Sequence, residues 1–246
     1  MNRPPRFLIG EDAVADGVAR IGGPELHHMR DVMRLGPGAE VTLIDADSIE
    51  YAGRISRFET ACAIVELAAS RERNRRGAAQ LILAAALIKG PRMDFLVEKA
   101  AELGACALWP LACKRSVTRN PGSERFQRWR RLAAAAAKQS LSARIMEIRA
   151  PISVAAMAQN VPKETLAVVC TAGAEPLGLL LRRIRPRAII LVCGPEGGFD
   201  DGEAAAMNAA GFAPAGLGRN RLRSETAGLA ALAIAAQAMD EINRGS

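Results

Sequence analysis

A glycine-rich segment, Gly194-Pro195-Glu196-Gly197-Gly198, directly follows a run of aliphatic residues. Glycines allow the backbone to turn sharply and to present its N–H groups to a ligand, where side chains would block a close approach. About twenty residues further on, Gly218 precedes three alternating arginines, Arg219, Arg221 and Arg223. Guanidinium groups can stabilise negative charge that develops on a reacting group. These two stretches are therefore the candidate site of chemistry.

Two strands and a helix must hold these stretches. The aliphatic residues 188–192 predict a buried strand, and residues 213–217 predict a second, shorter one. Between them, Asp200 or Asp201 is predicted to cap a helix, with Glu203 completing a capping box from Asp200. Loops after adjacent strand ends are where an open α/β sheet binds its ligand. The glycines match neither a P-loop, because no Lys-Ser or Lys-Thr follows them, nor the GxGxxG pattern of dinucleotide enzymes.

The segment GPEGGF, followed some twenty residues later by LGxxxLRxETA, resembles the C-terminal signature of the RsmE family of ribosomal RNA small subunit methyltransferases. The resemblance implies an α/β enzyme of the SPOUT superfamily, in which a C-terminal trefoil knot binds S-adenosylmethionine. It also implies methylation of N3 of a uridine in 16S ribosomal RNA, within the small ribosomal subunit. The family builds each active site from two chains, which implies a homodimer.

The resemblance assigns roles to residues of both loops. Uridine N3 carries a proton at neutral pH and must lose it before it can act as a nucleophile. Arg223 is expected to stabilise the negative charge on the uracil oxygens, and Glu225 or Glu196 is expected to take the proton. Glu225 equally suits the first turn of a helix, where a carboxylate interacts favourably with the helix dipole. The residues expected to bind the cofactor are Thr171, Gly194, Pro195, Glu196, Gly197, Gly198, Leu217, Gly218, Leu222 and Thr226.

Two other functions share these features. A SPOUT enzyme that methylates ribose 2′-hydroxyls would have the same fold but would lack this LRxETA context. A non-catalytic RNA-binding or ribosome-assembly protein would also keep the fold, and tight binding of S-adenosylmethionine would count against it. Three positions depart from the family pattern: Asn220 and Ser142 replace arginines, and Met146 replaces a proline. None of them falls within GPEGG or LRxETA, so they concern RNA contacts more than the cofactor.

Charge is distributed unevenly along the 246 residues, whose formal net charge is +7. Residues 1–72 contain 8 Arg and 12 Asp or Glu, which gives −4, and residues 73–246 contain 25 basic and 14 acidic groups, which gives +11. The basic C-terminal part favours a polyanionic partner such as RNA. The alternative is a compositional bias, since 28 of the 33 basic residues are Arg in an alanine-rich chain.

Composition also speaks against several classes of protein. The five cysteines are odd in number and none is spaced as C-x-x-C, which predicts reduced thiols in a cytoplasmic protein rather than disulfides or a zinc site. His27 and His28 are the only histidines, and no further ligands near them complete a metal site. The apolar run 227–239 is too short to span a bilayer, and residues 1–10 lack the apolar run of a signal peptide. Neither a metal nor a membrane partner is expected.

Two domains are predicted. Residues 1–72 contain several short strands and one helix, at 24–33, which is typical of a small β-barrel. The resemblance places a PUA-like RNA-binding barrel there. The polar, charged segment 70–77 predicts the boundary.

Residues 73–246 alternate strands with helices, which predicts a mostly parallel sheet covered on both faces and corresponds to the SPOUT methyltransferase domain. The predicted strands of this domain are 80–88, 105–110, 144–149, 166–170, 188–192 and 213–217. Its predicted helices are 93–103, 124–140, 154–160, 175–184, 202–210 and 224–242.

Arginines are the candidates for contact with RNA. Arg30 and Arg34 are four residues apart and are predicted to share one face of a helix. Residues 114–131 hold seven basic side chains against one acid, and Trp129 among them either stacks on a base or anchors the helix in the core. The RNA-binding candidates are Arg6, Arg30, Arg34, Arg115, Arg125, Arg128 and Arg131.

Two further segments are predicted to be structural. Residues 89–94 and 98–104 resemble the family's K-x-x-x-x-D…EKxxELG segment, in which Glu98 and Glu102 are predicted to be structural rather than catalytic. The last helix, 224–242, is rich in small residues that permit close helix contact. It is predicted to contribute to a homodimer interface, with simple core packing as the alternative.

Overall fold

The computed structural model describes residues 4–10, 13–45, 49–72, 80–116, 120–140, 142 and 144–244. The chain divides into two compact units, residues 1–75 with 140–144 and residues 76–139 with 145–246. Residues 73–77 of the predicted linker, 70–77, lie outside the described part of the chain. The boundary at residue 72 therefore stays a prediction.

The N-terminal unit is built on a six-stranded sheet. Its strands are β1 Arg6–Leu8, β2 Val14–Ala15, β3 Val18–Gly22, β4 Glu40–Ile44, β5 Ile49–Phe58 and β6 Cys62–Glu72. They lie in the order β1-β4-β5-β6-β3-β2, and all neighbours are antiparallel except β1 and β4. Alternation along β4 places Val41 and Leu43 in a core that also contains Phe7 and Ile55. The predicted β-rich unit is therefore present, but β5 and β6 are long strands of 10 and 11 residues rather than short ones.

Two features of this unit differ from the prediction. The β2–β3 hairpin is absent from the prediction; β2 has only two residues, whereas β3 alternates buried and exposed side chains over five. Its turn is Asp16-Gly17, with φ of 51° and 75°, and Asp-Gly is a strong hairpin signal. The predicted helix 24–33 is α1 Gly23–His27 followed by a π-helical turn, His28–Val32. The prediction that Arg30 and Arg34 share a helix face is wrong, because Arg34 follows this turn in a left-handed conformation with φ of 53°.

The C-terminal unit contains a second six-stranded sheet. Its strands are β7 Gln80–Ala86, β8 Ala107–Leu111, β9 Glu147–Ile148, β10 Thr165–Cys170, β11 Ala188–Cys193 and β12 Ala213–Ala215. They lie in the order β12-β10-β11-β7-β8-β9, and every neighbouring pair is parallel. The adjacent strands β7 and β11 are buried on both faces, which explains their continuous aliphatic sequences. The predicted parallel α/β sheet is confirmed.

Helices cover both faces of this sheet. They are α2 Pro91–Glu102, α3 Ser123–Gln139, α4 Val154–Gln159, α5 Leu177–Ile184, α6 Asp201–Ala209 and α7 Ser224–Arg244. Side chains of α2, α3, α5 and α7 pack in one core, and those of α4 and α6 pack in the other. Alternate residues of β7, such as Leu83 and Ile82, point into the two cores in turn. No described helix is long and apolar enough to cross a membrane.

Several side chains confirm structural roles that the sequence suggested. Asp200 accepts a hydrogen bond from the Glu203 N–H at 2.7 Å, and Glu203 accepts one from the Asp200 N–H at 3.0 Å, so the predicted capping box is present. Trp129 is fully buried and its indole N–H donates to Asp94 at 2.9 Å. Trp129 therefore anchors α3 in the core and offers no face for base stacking.

Candidate active site

The two predicted loops enclose one cavity at the carboxyl ends of neighbouring strands. The glycine loop follows β11, the second loop follows β12, and β10 lies between these strands. The enclosed space, which we call the glycine-loop cavity, has a volume of about 370 Å³. Small-molecule sites are typically roughly 300–1,000 Å³. Nine of the ten predicted cofactor residues line it: Thr171, Gly194, Pro195, Glu196, Gly197, Gly198, Leu217, Gly218 and Leu222.

Three side chains hold the carbonyl groups of the glycine loop. The Ser224 hydroxyl donates to the Gly194 carbonyl at 2.9 Å, at the point where α7 begins. The Arg221 guanidinium donates to the Glu196 carbonyl, also at 2.9 Å. On the other side of the loop, Arg115 donates to the carbonyl of Gly197 at 3.1 Å. Residues from two distant segments, the one around Arg115 and the one at 221–224, therefore fix the loop.

Backbone donors of the cavity remain available to a ligand. Within the described ranges, no residue accepts a hydrogen bond from the backbone N–H of Gly197, Gly218 or Leu222. Apolar side chains, including Leu217 and Leu222, line the same space. A cavity that combines apolar walls with a few polar groups suits a ligand that has both kinds of surface.

The floor of the cavity contains two cysteines at the ends of β10 and β11. Cys193 is buried, and its hydrogen bond with Cys170, together with burial, raises its pKa well above the ordinary value. A raised pKa keeps Cys193 in the thiol form, which is neither nucleophilic nor charged. Cys193 therefore gives the cavity a neutral wall.

A second hollow, which we call the α2–α7 hollow, lies beside the glycine-loop cavity and shares Arg221 and Leu222 with it. Its volume is about 590 Å³. One wall comes from the first turns of α2, and the other from the loop before α7 and the start of that helix. The predicted catalytic residues Arg223 and Glu225 line it, and so does Thr226, which was predicted to lie at the cofactor.

The two acids predicted to act as a base have different surroundings. Glu196 is 61% exposed, and a hydrogen bond from Arg92 at 2.6 Å lowers its pKa. The side chain of Glu225 is only 9% exposed and lies 3.8 Å from the same guanidinium. Its Oε2 atom is buried and has no hydrogen-bond partner among the described residues. Glu196 is therefore engaged, whereas Glu225 keeps a free acceptor.

Six of the seven predicted RNA-binding arginines have exposed side chains: Arg30, Arg34, Arg115, Arg125, Arg128 and Arg131. Arg6 is half-buried and pairs with Glu50 at 2.8 Å. Arg128 donates to Asp94 at 2.8 Å, so part of its hydrogen-bonding capacity is already used. Arg119 of the same basic stretch lies outside the described residues.

Sequence reasoning missed Arg92 and Ser224 as residues of the site, and it placed Arg221 in the second loop without giving it a role of its own. Arg221 and Ser224 lie inside LGxxxLRxETA, and Arg92 lies inside K-x-x-x-x-D. Their positions in these motifs could have indicated that they belong to the site. The contact of Arg92 with Glu196 could not be predicted, because 104 positions separate the two residues.

The three departures from the family pattern lie in different surroundings. Asn220 lines the glycine-loop cavity. Met146 is buried in the core of the C-terminal unit. The hydroxyl of Ser142 donates to the Arg144 carbonyl at 2.9 Å. Only Asn220 therefore bears directly on the candidate site.

Comparisons with known proteins agree over both units. A model of the RNA methyltransferase domain family matches residues 75–236, and a model of the RNA methyltransferase PUA domain matches residues 21–60. Ribosomal RNA small subunit methyltransferase E of Mycobacterium bovis is 30% identical over 87% of this chain and 84% of its own length. The enzyme of the same name from Synechocystis is 28% identical over 93% of this chain and 76% of its own. The crystal structure of ribosomal RNA small subunit methyltransferase E from Neisseria gonorrhoeae, bound to S-adenosyl methionine, has a TM-score of 0.79 and 28% identity, covering 94% of this chain and 96% of that one.

Proposed function

Because the chain belongs to the ribosomal RNA small subunit methyltransferase E family, we propose that it methylates N3 of a uridine in 16S ribosomal RNA of the small subunit, with S-adenosylmethionine as the methyl donor. The observation that carries this proposal is the meeting of the GPEGG and LRxETA loops around one cavity. The hollow beside that cavity is lined by Arg223 and Glu225, for which we propose catalytic roles.

The residues of the glycine-loop cavity fit the proposed cofactor. When bound, S-adenosylmethionine supplies an electrophilic methyl group on a positively charged sulfur. The N–H groups of Gly197, Gly218 and Leu222, from which no described residue accepts a hydrogen bond, can bind its polar groups. The leucine side chains and the neutral Cys193 thiol suit its adenine. Holding donor and acceptor side by side is the main contribution that a protein makes to such a displacement.

The chain must also handle one proton. Methyl transfer to N3 forms one N–C bond, breaks one S–C bond and releases the N3 proton to a base. Glu225 suits this role better than Glu196, because the hydrogen bond from Arg92 lowers the pKa of Glu196 and makes it a weaker base. Arg223 is proposed to stabilise the negative charge that the uracil oxygens gain.

The wider organisation is proposed to follow the family. Residues 1–72 would form the RNA-binding domain and residues 73–246 the SPOUT domain of a cytoplasmic enzyme. A trefoil knot formed by the two loops is proposed on the same ground, and the contacts of Arg221 and Ser224 with the glycine loop bring these loops together.

A homodimer is proposed, with the small-residue helix α7 contributing to its interface. The half-buried apolar side chains of Leu229 and Ile234 support this role, since they leave apolar surface on α7. Static light scattering tests it: twice the chain mass of 26.1 kDa is expected, and a concentration-independent monomer would contradict it.

Mass mapping of 16S ribosomal RNA from cells with and without the gene tests the reaction. One uridine should carry a methyl group on its base only when the gene is present. A methyl group on ribose would instead indicate a 2′-O-methyltransferase, and an unchanged RNA would favour a non-catalytic protein. Complementation with Arg223→Ala should restore RNA binding but little methylation, since Arg223 is proposed to act in the transition state.

A further inference from the structure

We propose that the α2–α7 hollow is the pocket for the target uracil, which stacks on Phe95 and donates its N3–H to Glu225. This inference rests on the proposed function and adds the acceptor site to it. Arg92 and Phe95 lie on α2, outside the two signature loops. They nevertheless line the same hollow as Glu225.

The carboxylate of Glu225 lies 3.8 Å from the Arg92 guanidinium, but its Oε2 atom accepts no hydrogen bond from the described residues. The Glu225 side chain is nine-tenths buried. Buried acceptors are nearly always paired in folded proteins, and an exception is often a functional group. The uracil N3–H is a donor of the required kind. On binding it would complete the hydrogen bonding of Glu225.

Phe95 offers a face for stacking. It lies one turn into α2 and is 49% exposed, although its neighbours Leu96 and Val97 are buried. Unpaired bases are commonly bound by stacking on exposed aromatic side chains within basic surroundings. Arg92 and Arg223 provide those surroundings, since both line the same hollow.

The hollow also matches the edge of uracil that reacts. This edge presents an acceptor, a donor and an acceptor, namely O2, N3–H and O4. Arg92 and Arg223 are donors only, and the Glu225 carboxylate is an acceptor only, so together they form the complementary set. Cytosine has no proton on N3, so it would leave the Glu225 acceptor unpaired. The pocket therefore selects uracil.

The same arrangement provides the proton transfer. The N3 proton moves to the Glu225 carboxylate, and the lone pair left on N3 becomes the nucleophile. The negative charge spreads over O2 and O4, where guanidinium groups stabilise it. The pocket adjoins the glycine-loop cavity through the shared residues Arg221 and Leu222, so the activated base lies next to the proposed donor.

Four variants test the pocket: Phe95→Ala, Phe95→Tyr, Glu225→Gln and the control Ile184→Ala. Ile184 is 43% exposed, close to the 49% of Phe95, but it lies at the end of α5 and lines neither cavity. Each is measured for S-adenosylmethionine affinity by calorimetry, and for methyl transfer to 16S ribosomal RNA from cells lacking the gene.

Affinity for S-adenosylmethionine should be unchanged in all four variants. Phe95→Ala should lower kcat/KM on the order of tenfold or more, since stacking on an aromatic side chain binds the base. Phe95→Tyr, which keeps the ring, should retain the activity. Glu225→Gln should lower kcat on the order of a hundredfold with little change in KM for RNA, because the amide oxygen still accepts the N3–H but cannot take the proton.

If Phe95→Ala kept the same activity as Ile184→Ala, the proposal that the uracil stacks on Phe95 in this pocket would be wrong. A wild-type protein that binds S-adenosylmethionine but methylates no 16S RNA would overturn the proposed function instead. A second measurement needs no variant: 16S RNA transcribed with 5-iodouridine should crosslink to the peptide that contains Phe95 under ultraviolet light. Crosslinks that avoid this peptide would likewise overturn the pocket.

Discussion

Arg92 Nη1 lies 2.6 Å from Glu196 Oε1, although 104 positions separate these two residues in the chain. The contact joins the first turn of α2 to the glycine loop. The same guanidinium lies 3.8 Å from Glu225 at the start of α7. A single side chain therefore links three of the segments that border the glycine-loop cavity and the α2–α7 hollow.

The Arg92–Glu196 pair should stabilise the fold in a pH-dependent way. The hydrogen bond and charge of Arg92 lower the pKa of Glu196. A carboxylate whose pKa is lower in the folded state adds stability above its unfolded pKa and loses it as the pH falls through the folded value. Arg92→Gln should therefore lower Tm at pH 7, and the difference from wild type should shrink below about pH 4.

Differential scanning fluorimetry across this pH range measures that difference. The double variant Arg92→Gln with Glu196→Gln is the matched control, because it removes both charges of this pair and leaves the Glu225 carboxylate as it is in Arg92→Gln. A Tm difference between Arg92→Gln and wild type that stays constant down to acidic pH would contradict the prediction.

Gly197→Val should abolish binding of S-adenosylmethionine while leaving the fold intact. A Cβ atom at Gly197 would lie 3.5 Å from Arg115 Cβ, an ordinary contact, so the loop accepts a side chain without moving. The added methyl groups would obstruct the close approach of a ligand to the loop backbone. Gly178→Val on α5 is the control, since its Cβ would have 3.7 Å to the nearest atoms. Unchanged affinity of Gly197→Val in calorimetry would exclude the loop from the cofactor site.

Asp94→Ala should destabilise the protein more than Arg128→Ala. Loss of Asp94 leaves the buried indole N–H of Trp129 without its acceptor, which costs about 1–3 kcal/mol of unfolding free energy. Loss of Arg128 removes only an exposed ion pair with Asp94, worth about 0–1 kcal/mol. Urea unfolding followed by tryptophan fluorescence gives both values. Equal losses would show that the indole hydrogen bond contributes little.

RNA affinity should fall steeply with salt, because binding to phosphates releases counterions. Arg125 and Arg131 are exposed on α3, so replacing each with Ala should reduce the slope of log K against log salt by roughly 0.7–0.9 for each phosphate that the variant no longer binds. Arg128→Ala should reduce it less, because Arg128 is already bonded to Asp94. Filter binding over a salt series measures the slopes. If Arg125→Ala and Arg131→Ala showed the same slope as wild type, α3 would not belong to the RNA interface.

Local sequence was sufficient to predict the class of fold and the two loops of the site. The aliphatic runs of β7 and β11 show no polar alternation, and only strands covered on both faces have that property. The glycines after β11 and the Asp200–Glu203 capping box predict a turn followed by a helix, because both depend on residues that are neighbours in the chain. The motifs of these loops likewise indicate the family and its cofactor.

Contacts between distant segments decided the rest. Arg92 pairs with Glu196 because β11 lies beside β7 in the sheet. This pairing distinguishes the two candidate bases. The order of strands in a sheet cannot be predicted from local sequence. Glu225 is buried because α7 packs against α2 and the sheet, whereas helix periodicity alone leaves its exposure undetermined. Trp129 became a core anchor for the same reason: its acceptor, Asp94, belongs to a different helix. Burial and pairing are properties of the packed chain, and they decide which side chains remain free to react.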